Sequence, residues 1–183
     1  MPTVTLARHR HRRRQLHNAL AIGAAVLILA ITPGLHRFLA HRPSAPVPPV
    51  RLTPTEARIV KLVNQARIRA GVAPLASSER LMLAARTHSE DMAAQRYLGH
   101  ESASGDTPVD RVRAAGLDYQ EIAENLLNVP GQDFETLPQH TLSTWLASPQ
   151  SRNKLLGPQF RLGAVAIAHA ADGSYYITLD LMR

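Results

Sequence analysis

The chain contains no cysteine, which removes disulfides, thiolate nucleophiles and cysteine metal sites from consideration. Lysine is nearly absent too: two residues against 19 arginines, a bias typical of bacterial chains from GC-rich genomes. Acidic residues are missing altogether from residues 1–50, which carry seven arginines. The other 133 residues hold 14 basic and 14 acidic side chains, so the formal charge of +7 resides entirely in the first 50. A nucleic-acid-binding face needs its basic residues within the folded part. No nucleic-acid partner is therefore expected. At 183 residues there is room for one domain with an appended segment. We find no internal repeat.

What the first 50 residues do hold is an ordered pattern. A basic run from Arg8 to Arg14 precedes an uncharged stretch from Ala19 to Leu35, the order of an export signal or membrane anchor. The stretch reaches the roughly 20 residues of a spanning helix only when Leu16 to Leu35 is counted. Downstream, Phe38 stands in "RFLAHR" where cleavage would require a small side chain. The sequence thus predicts an uncleaved signal-anchor, with cleavage and release to the periplasm or medium as the alternative. Five arginines before the apolar core against two after it (Arg37 and Arg42) place the N-terminus in the cytoplasm. The predicted organisation is a basic cytoplasmic tail (1–18), a transmembrane helix (19–39), a proline-rich spacer (40–52) and one domain (53–183). The localisation that follows is a single-pass membrane protein with its domain outside.

Inside the domain, Thr53-Pro54-Thr55-Glu56 is a capping box that opens a helix, and Gly71 ends it. A second helix starts at Ser77 or Ser78, with Leu81, Ala84, Ala85, His88 and Met92 on one stripe. Thr107-Pro108-Val109-Asp110 is a second capped start, leading a short third helix to Gly116. A later helix carries Leu142, Trp145 and Leu146 inward and stops at Ser148-Pro149. "RLGAVAIAHA" and "SYYITLDLM" alternate as strands joined through Asp172-Gly173. "EIAENLLNV" reads as either strand or helix. The fold class is α+β: helices packed against an antiparallel sheet of three or more strands.

Several stretches together resemble the CAP superfamily of cysteine-rich secretory, antigen 5 and pathogenesis-related proteins, in its short bacterial form. They are "LVNQARIRAGVAPL", "HSEDMA", "GHESASGDTPVDR", "AENL", "WLASPQSR", "LGAVAIA" and "YYITLDL". They occur in the family's order across the whole domain. The resemblance implies a three-layer α-β-α sandwich with an open cavity on one side. In the family, histidines and acidic residues line that cavity and sometimes hold zinc. Matched position by position, His100 corresponds to the first cavity histidine and Glu124 to the cavity glutamate. Ser151 stands where the family's second histidine belongs. His88, Asp110 and Arg111 are expected to back the cavity from behind; alternatively, His88 is a core histidine bonded to main chain, and Asp110 and Arg111 close a local ionic network.

With one imidazole missing, His100 is at most a weak zinc ligand, because a neutral serine hydroxyl is a poor one and catalytic zinc normally has three protein ligands. No cofactor is expected beyond such a weakly held divalent ion. A Ser151–His100–Glu124 triad has the right residue types, but no nucleophile elbow surrounds Ser151. We expect a membrane-tethered extracytoplasmic binding module for a lipid, glycan or peptide. Its partners would be the membrane, through the N-terminal helix, and a small ligand or envelope component. The alternatives are an envelope hydrolase or peptidase using the His100/Glu124 cavity, and a non-catalytic protein-interaction domain with a vestigial cavity.

Overall fold

The computed structural model describes residues 50–131 and 133–183. The segments predicted as a basic tail (1–18), a transmembrane helix (19–39) and most of the spacer (40–52) lie outside the described residues. Among the described residues, no helix is long and apolar enough to cross a membrane.

Helix α1 spans Pro54–Arg69, and its start is set by the predicted capping box. Glu56 N donates to Thr53 Oγ1 at 3.3 Å, and Thr53 N donates to Glu56 Oε2 at 2.7 Å. The two-residue strand β1 (Ala76–Ser77) leads into helix α2 (Glu79–Gln95), capped by Ser78. Helix α3 (Pro108–Ala114) repeats the capping-box device with Thr107 and Asp110. The ambiguous segment is a strand, β2 (Ile122–Val129). Helix α4 covers Leu137–Ala147, and α5 follows at once over Pro149–Leu155. Strands β3 (Leu162–His169) and β4 (Tyr175–Met182) form the C-terminal hairpin. Gly173 supplies the positive φ of 86° that its turn requires.

Ser148-Pro149, read from sequence as a stop, is also a start. Ser148 ends α4 and its side chain accepts from Ser151 N, capping α5. One residue thus turns the chain from the Trp145 helix directly into the helix that carries Ser151.

The sheet order is β1-β3-β4-β2. The three long strands are antiparallel, as expected; β1 adds a short parallel pairing of Ala76 with Leu162 and Ser77 with Gly163. That approach is close. A Cβ on Gly163 would lie 2.7 Å from Leu75 Cδ1, so the strand has glycine where β1 enters. Alternate residues of each strand face opposite sides. Ile177, Leu179 and Leu181 pack with Val165 against Ile59 and Val63 of α1, Trp145 of α4 and Leu155 of α5. Ala164, Ala166 and Met182 pack on the other side against Leu81, Ala84 and Ala85 of α2 and Val112 of α3. The result is helices on both faces of one sheet, with β2 at the outer edge beside α5.

Candidate functional site

Glu124 sits in the middle of β2, opposite Asp180 of β4. Its side chain is 1% exposed. A carboxylate buried to that degree needs charged or hydrogen-bonding partners, and it has them. Arg111 Nη2 donates to Glu124 Oε2 at 2.7 Å, and His100 Nδ1 lies 2.7 Å from Oε1. An ionised carboxylate only accepts, so the proton of that second bond is on His100 Nδ1. His100 Nε2 is left without a partner among the described residues, on a side chain 53% exposed.

Arg111 is held as firmly as it holds. Its Nη1 donates to Asp106 O at 2.9 Å and its Nη2 also donates to His100 O at 3.0 Å. The loop between α2 and α3 is thereby tied to β2 through one guanidinium. His88, buried on α2, lies behind: its Nε2 donates to Gly99 O at 2.8 Å and stands 3.9 Å from Glu124 Oε1. Burial lowers its pKa, with the Arg111 charge adding and Glu124 opposing. His88 is accordingly a neutral imidazole that fixes the loop presenting His100. Asp110 stays outside this cluster. It closes the α3 capping box, where hydrogen bonds from Thr107 keep its carboxyl below the usual range.

His100, Glu124 and Ser151 line one groove of about 250 Å³, together with Leu98, Gly99, Asn125, Leu126, Gln150 and Lys154. Asn125 Nδ2 donates to Ser151 O at 2.9 Å, and Lys154 Nζ donates to Glu124 O at 2.9 Å. Helix α5 is thus pinned against β2, with Ser151 and Lys154 one turn apart on the groove side. The Ser151 hydroxyl has no side-chain partner among the described residues; only its main-chain groups are bonded.

Two members of this region were not foreseen. Lys154 is one of the chain's two lysines, three residues after Ser151 on the same helix face; helix α5 had to be recognised before that spacing carried meaning. Asp180 interrupts the apolar run "YITLDLM" at an inward position. Its carboxyl is fully buried, and burial and the neighbouring Glu124 charge hold its pKa well above the carboxylate range. A raised folded-state value means that the native state binds the proton more tightly than the unfolded chain does. Stability then falls as pH rises from the unfolded carboxylate value of about 4 toward the folded one. Asp180→Asn mimics the protonated acid. The variant's melting temperature should match wild type near pH 4 and exceed it increasingly toward pH 8. A constant difference across that range would mean that Asp180 does not titrate with folding.

A divalent ion fits this set poorly. Both Glu124 oxygens are engaged, by Arg111 and by His100, and Arg111 and Lys154 bring positive charge to the same place. Among the described residues, no three His, Cys, Asp or Glu side chains are arranged to hold a metal. The free His100 Nε2 is the one imidazole nitrogen the groove offers.

The fold and the cluster on its β2 flank together define an α-β-α sandwich of SCP type. Residues 60–181 match the cysteine-rich secretory protein (CAP) family, and the chain belongs to that family. Two relatives from Bacillus subtilis are each 28% identical to it. The uncharacterized protein YkwD matches over 70% of this chain and 47% of its own length; the uncharacterized membrane protein YlbC matches over 68% and 33%. The chain thus spans less than half of the length of either. Among solved structures, an extracellular SCP-domain protein from Bacillus anthracis superposes with a TM-score of 0.60 at 26% identity, covering 73% of this chain and 45% of that one. An outer surface protein of Borrelia burgdorferi shares the fold, with a TM-score of 0.62 at 15% identity over 73% of this chain and 96% of its own.

Proposed function

We propose that this CAP domain is an extracytoplasmic, membrane-tethered binding module that holds a polar envelope ligand, a glycan or peptide, in the groove beside β2. The observation that carries this reading is the state of Glu124. Each of its oxygens already accepts a bond, from Arg111 or from His100, and its side chain is 1% exposed, so it is held as a buried paired carboxylate rather than aimed at a water or a nucleophile. The Ser151 hydroxyl is hydrogen-bonded to no base among the described residues, and no bond joins it to His100 Nε2 across the groove. General-base catalysis needs the base within hydrogen-bond reach of the proton that it takes, and no such bond reaches the Ser151 hydroxyl here. What the groove offers are unsatisfied polar groups around an open trough, lined mainly by polar side chains rather than the apolar wall that a lipid chain requires. The extracellular and membrane descriptions of the similar proteins support placing the domain outside the cytoplasm.

Titrating the isotope-labelled full chain with soluble muropeptides, and separately with phosphatidylglycerol vesicles, tests the reading. Amide shifts of His100, Leu126 and Ser151 should move with the muropeptides and stay put with the vesicles. Measurable peptide or glycan hydrolysis abolished by Ser151→Ala would replace binding with catalysis.

Tethering has its own test. Alkaline phosphatase fused after Arg183 should be active, and the full-length chain should sediment with membranes. A freely soluble product beginning near residue 40 would put a cleaved signal in place of the anchor.

Zinc should bind wild type no tighter than the micromolar range by titration calorimetry. Ser151→His, adding a second imidazole to the groove wall, should tighten it about tenfold. Nanomolar binding by wild type would mean that the Glu124 pairings open to admit the ion.

A further inference from the structure

We propose that the outer edge of β2 takes an extended, carboxylate-bearing peptide as an added strand. The proposal rests on the binding reading and gives that groove a ligand class. Strand β2 has a neighbour, β4, on one side only. Glu121 and Arg183 exchange both main-chain bonds, at 2.9 and 3.3 Å. In an antiparallel ladder such pairs alternate, so the phase of β2 is fixed. Ala123, Asn125, Leu127 and Val129 bond inward to β4, while Glu124, Leu126 and Asn128 turn both their N–H and C=O groups outward.

The outward groups are treated unequally. The carbonyl of Glu124 accepts from Lys154 Nζ at 2.9 Å, and that of Leu126 accepts from Trp145 Nε1 at 3.2 Å. The amides of Glu124, Leu126 and Asn128 meet no acceptor among the described residues. An exposed row of strand donors is normally covered or blunted, and the opposite edge of this sheet is. There Ile167 N donates to Glu56 Oε1 at 2.9 Å, and Val165 is fully buried against α1. On the β2 edge only the donors are left over: Glu124, 3% exposed, and Leu126 line the groove with their carbonyls already taken by Lys154 and Trp145.

Donors recurring every second residue, about 6.8 Å apart, match the carbonyls along one side of an extended peptide, as in strand addition to a sheet edge. Sugar oxygens do not keep that repeat. The carboxylate follows from charge. Glu124 is neutralised by Arg111, so Lys154 is the unbalanced charge in the groove, and its ammonium keeps two hydrogens after serving Glu124 O. Leu98, 53% exposed and lining the same groove, gives an apolar seat for a peptide side chain.

The test pans a displayed random dodecapeptide library on the full chain in detergent micelles, with oligogalacturonate as a second probe. Enriched peptides should carry Asp, Glu or a free C-terminus. They should slow hydrogen exchange at Glu124, Leu126 and Asn128 at least tenfold, leaving Asn125 and Leu127 unchanged. Lys154→Met should weaken them at least tenfold, and so should Leu98→Glu, which alters an exposed side chain and leaves the core intact. No enrichment, enriched peptides without carboxylates, or protection at other amides overturns the proposal. Oligogalacturonate shifting the groove amides without slowing the three edge amides also overturns it while leaving the binding module standing. Silence from both probes and from the muropeptides removes both.

Discussion

Arg67→Met should cost about 3–5 kcal/mol of stability and lower the melting temperature by about 10–15 °C, given a few degrees per kcal/mol for a domain of this size. Arg67 belongs to α1 and is fully buried. Its guanidinium is paired with no carboxylate among the described residues. It spans four carbonyls instead. Nε donates to Ala73 O at 2.9 Å, Nη1 to Leu155 O at 2.6 Å and Gly157 O at 3.2 Å, and Nη2 to Phe160 O at 3.0 Å. Leu155 closes α5, so its carbonyl is among those that a helix leaves without an intrahelical partner. Methionine fills much of the volume but satisfies none of the four, and each buried polar group left unpaired costs about 1–3 kcal/mol. The chain has removed solvent from a cation, and burial lowers its pKa, with Arg161 adding repulsion; the carbonyl cage must offset that. Thermal denaturation of wild type and variant decides it. A fall under about 3 °C, less than about 1 kcal/mol for a domain of this size, would mean that water replaces the guanidinium. The groove should respond as well, because the cage anchors the C-terminal end of the helix that carries Ser151 and Lys154.

Arg67 also shows where sequence ceases to be legible. On its own it reads as a basic residue in the last turn of α1, the place where a cation commonly faces solvent and the helix dipole. Its burial depends on Leu155, Gly157 and Phe160, some 90 residues away, and no local pattern announces them. The features that could be read were local. Thr53 with Glu56 and Thr107 with Asp110 marked helix starts, and the alternation in "RLGAVAIAHA" marked a strand; both rest on bonds or periods within a few residues. Helix α5 was hidden because Ser-Pro serves equally as an end and as a cap. Strand β2 was ambiguous because Glu124 and Asn125 break its apolar run, and they do so because one side chain reaches the α2–α3 loop while the other reaches α5. Family resemblance supplied His100, Glu124 and Ser151 as a set. It did not supply Asp180 or Lys154, which matter through a cross-strand register and through the outward phase of β2.

Glu124→Ala is the second large effect expected. It should destabilise the domain by about 3–5 kcal/mol, because removing one partner of a buried pair leaves the other charge uncompensated. Here that charge is Arg111, whose side chain is 6% exposed. The same substitution frees His100 Nδ1 and strips Asp180 of its carboxylate neighbour. A double variant separates these effects. Glu124→Leu with Arg111→Leu removes both charges and returns apolar volume, so its cost should be well below the sum of the two single Leu variants. Their non-additivity then measures the coupling, which for residues in direct contact is about 0.5–3 kcal/mol. Urea denaturation of the four proteins at pH 7 yields the cycle. Additive costs would show that Arg111 and Glu124 stabilise the fold separately, through their main-chain neighbours. Strong coupling would mean that the buried, paired carboxylate under the groove is chiefly a knot joining the α2–α3 loop to β2. In that case His100 is presented to the groove by a fixed scaffold, and ligands meet its Nε2 and the β2 edge rather than Glu124 itself.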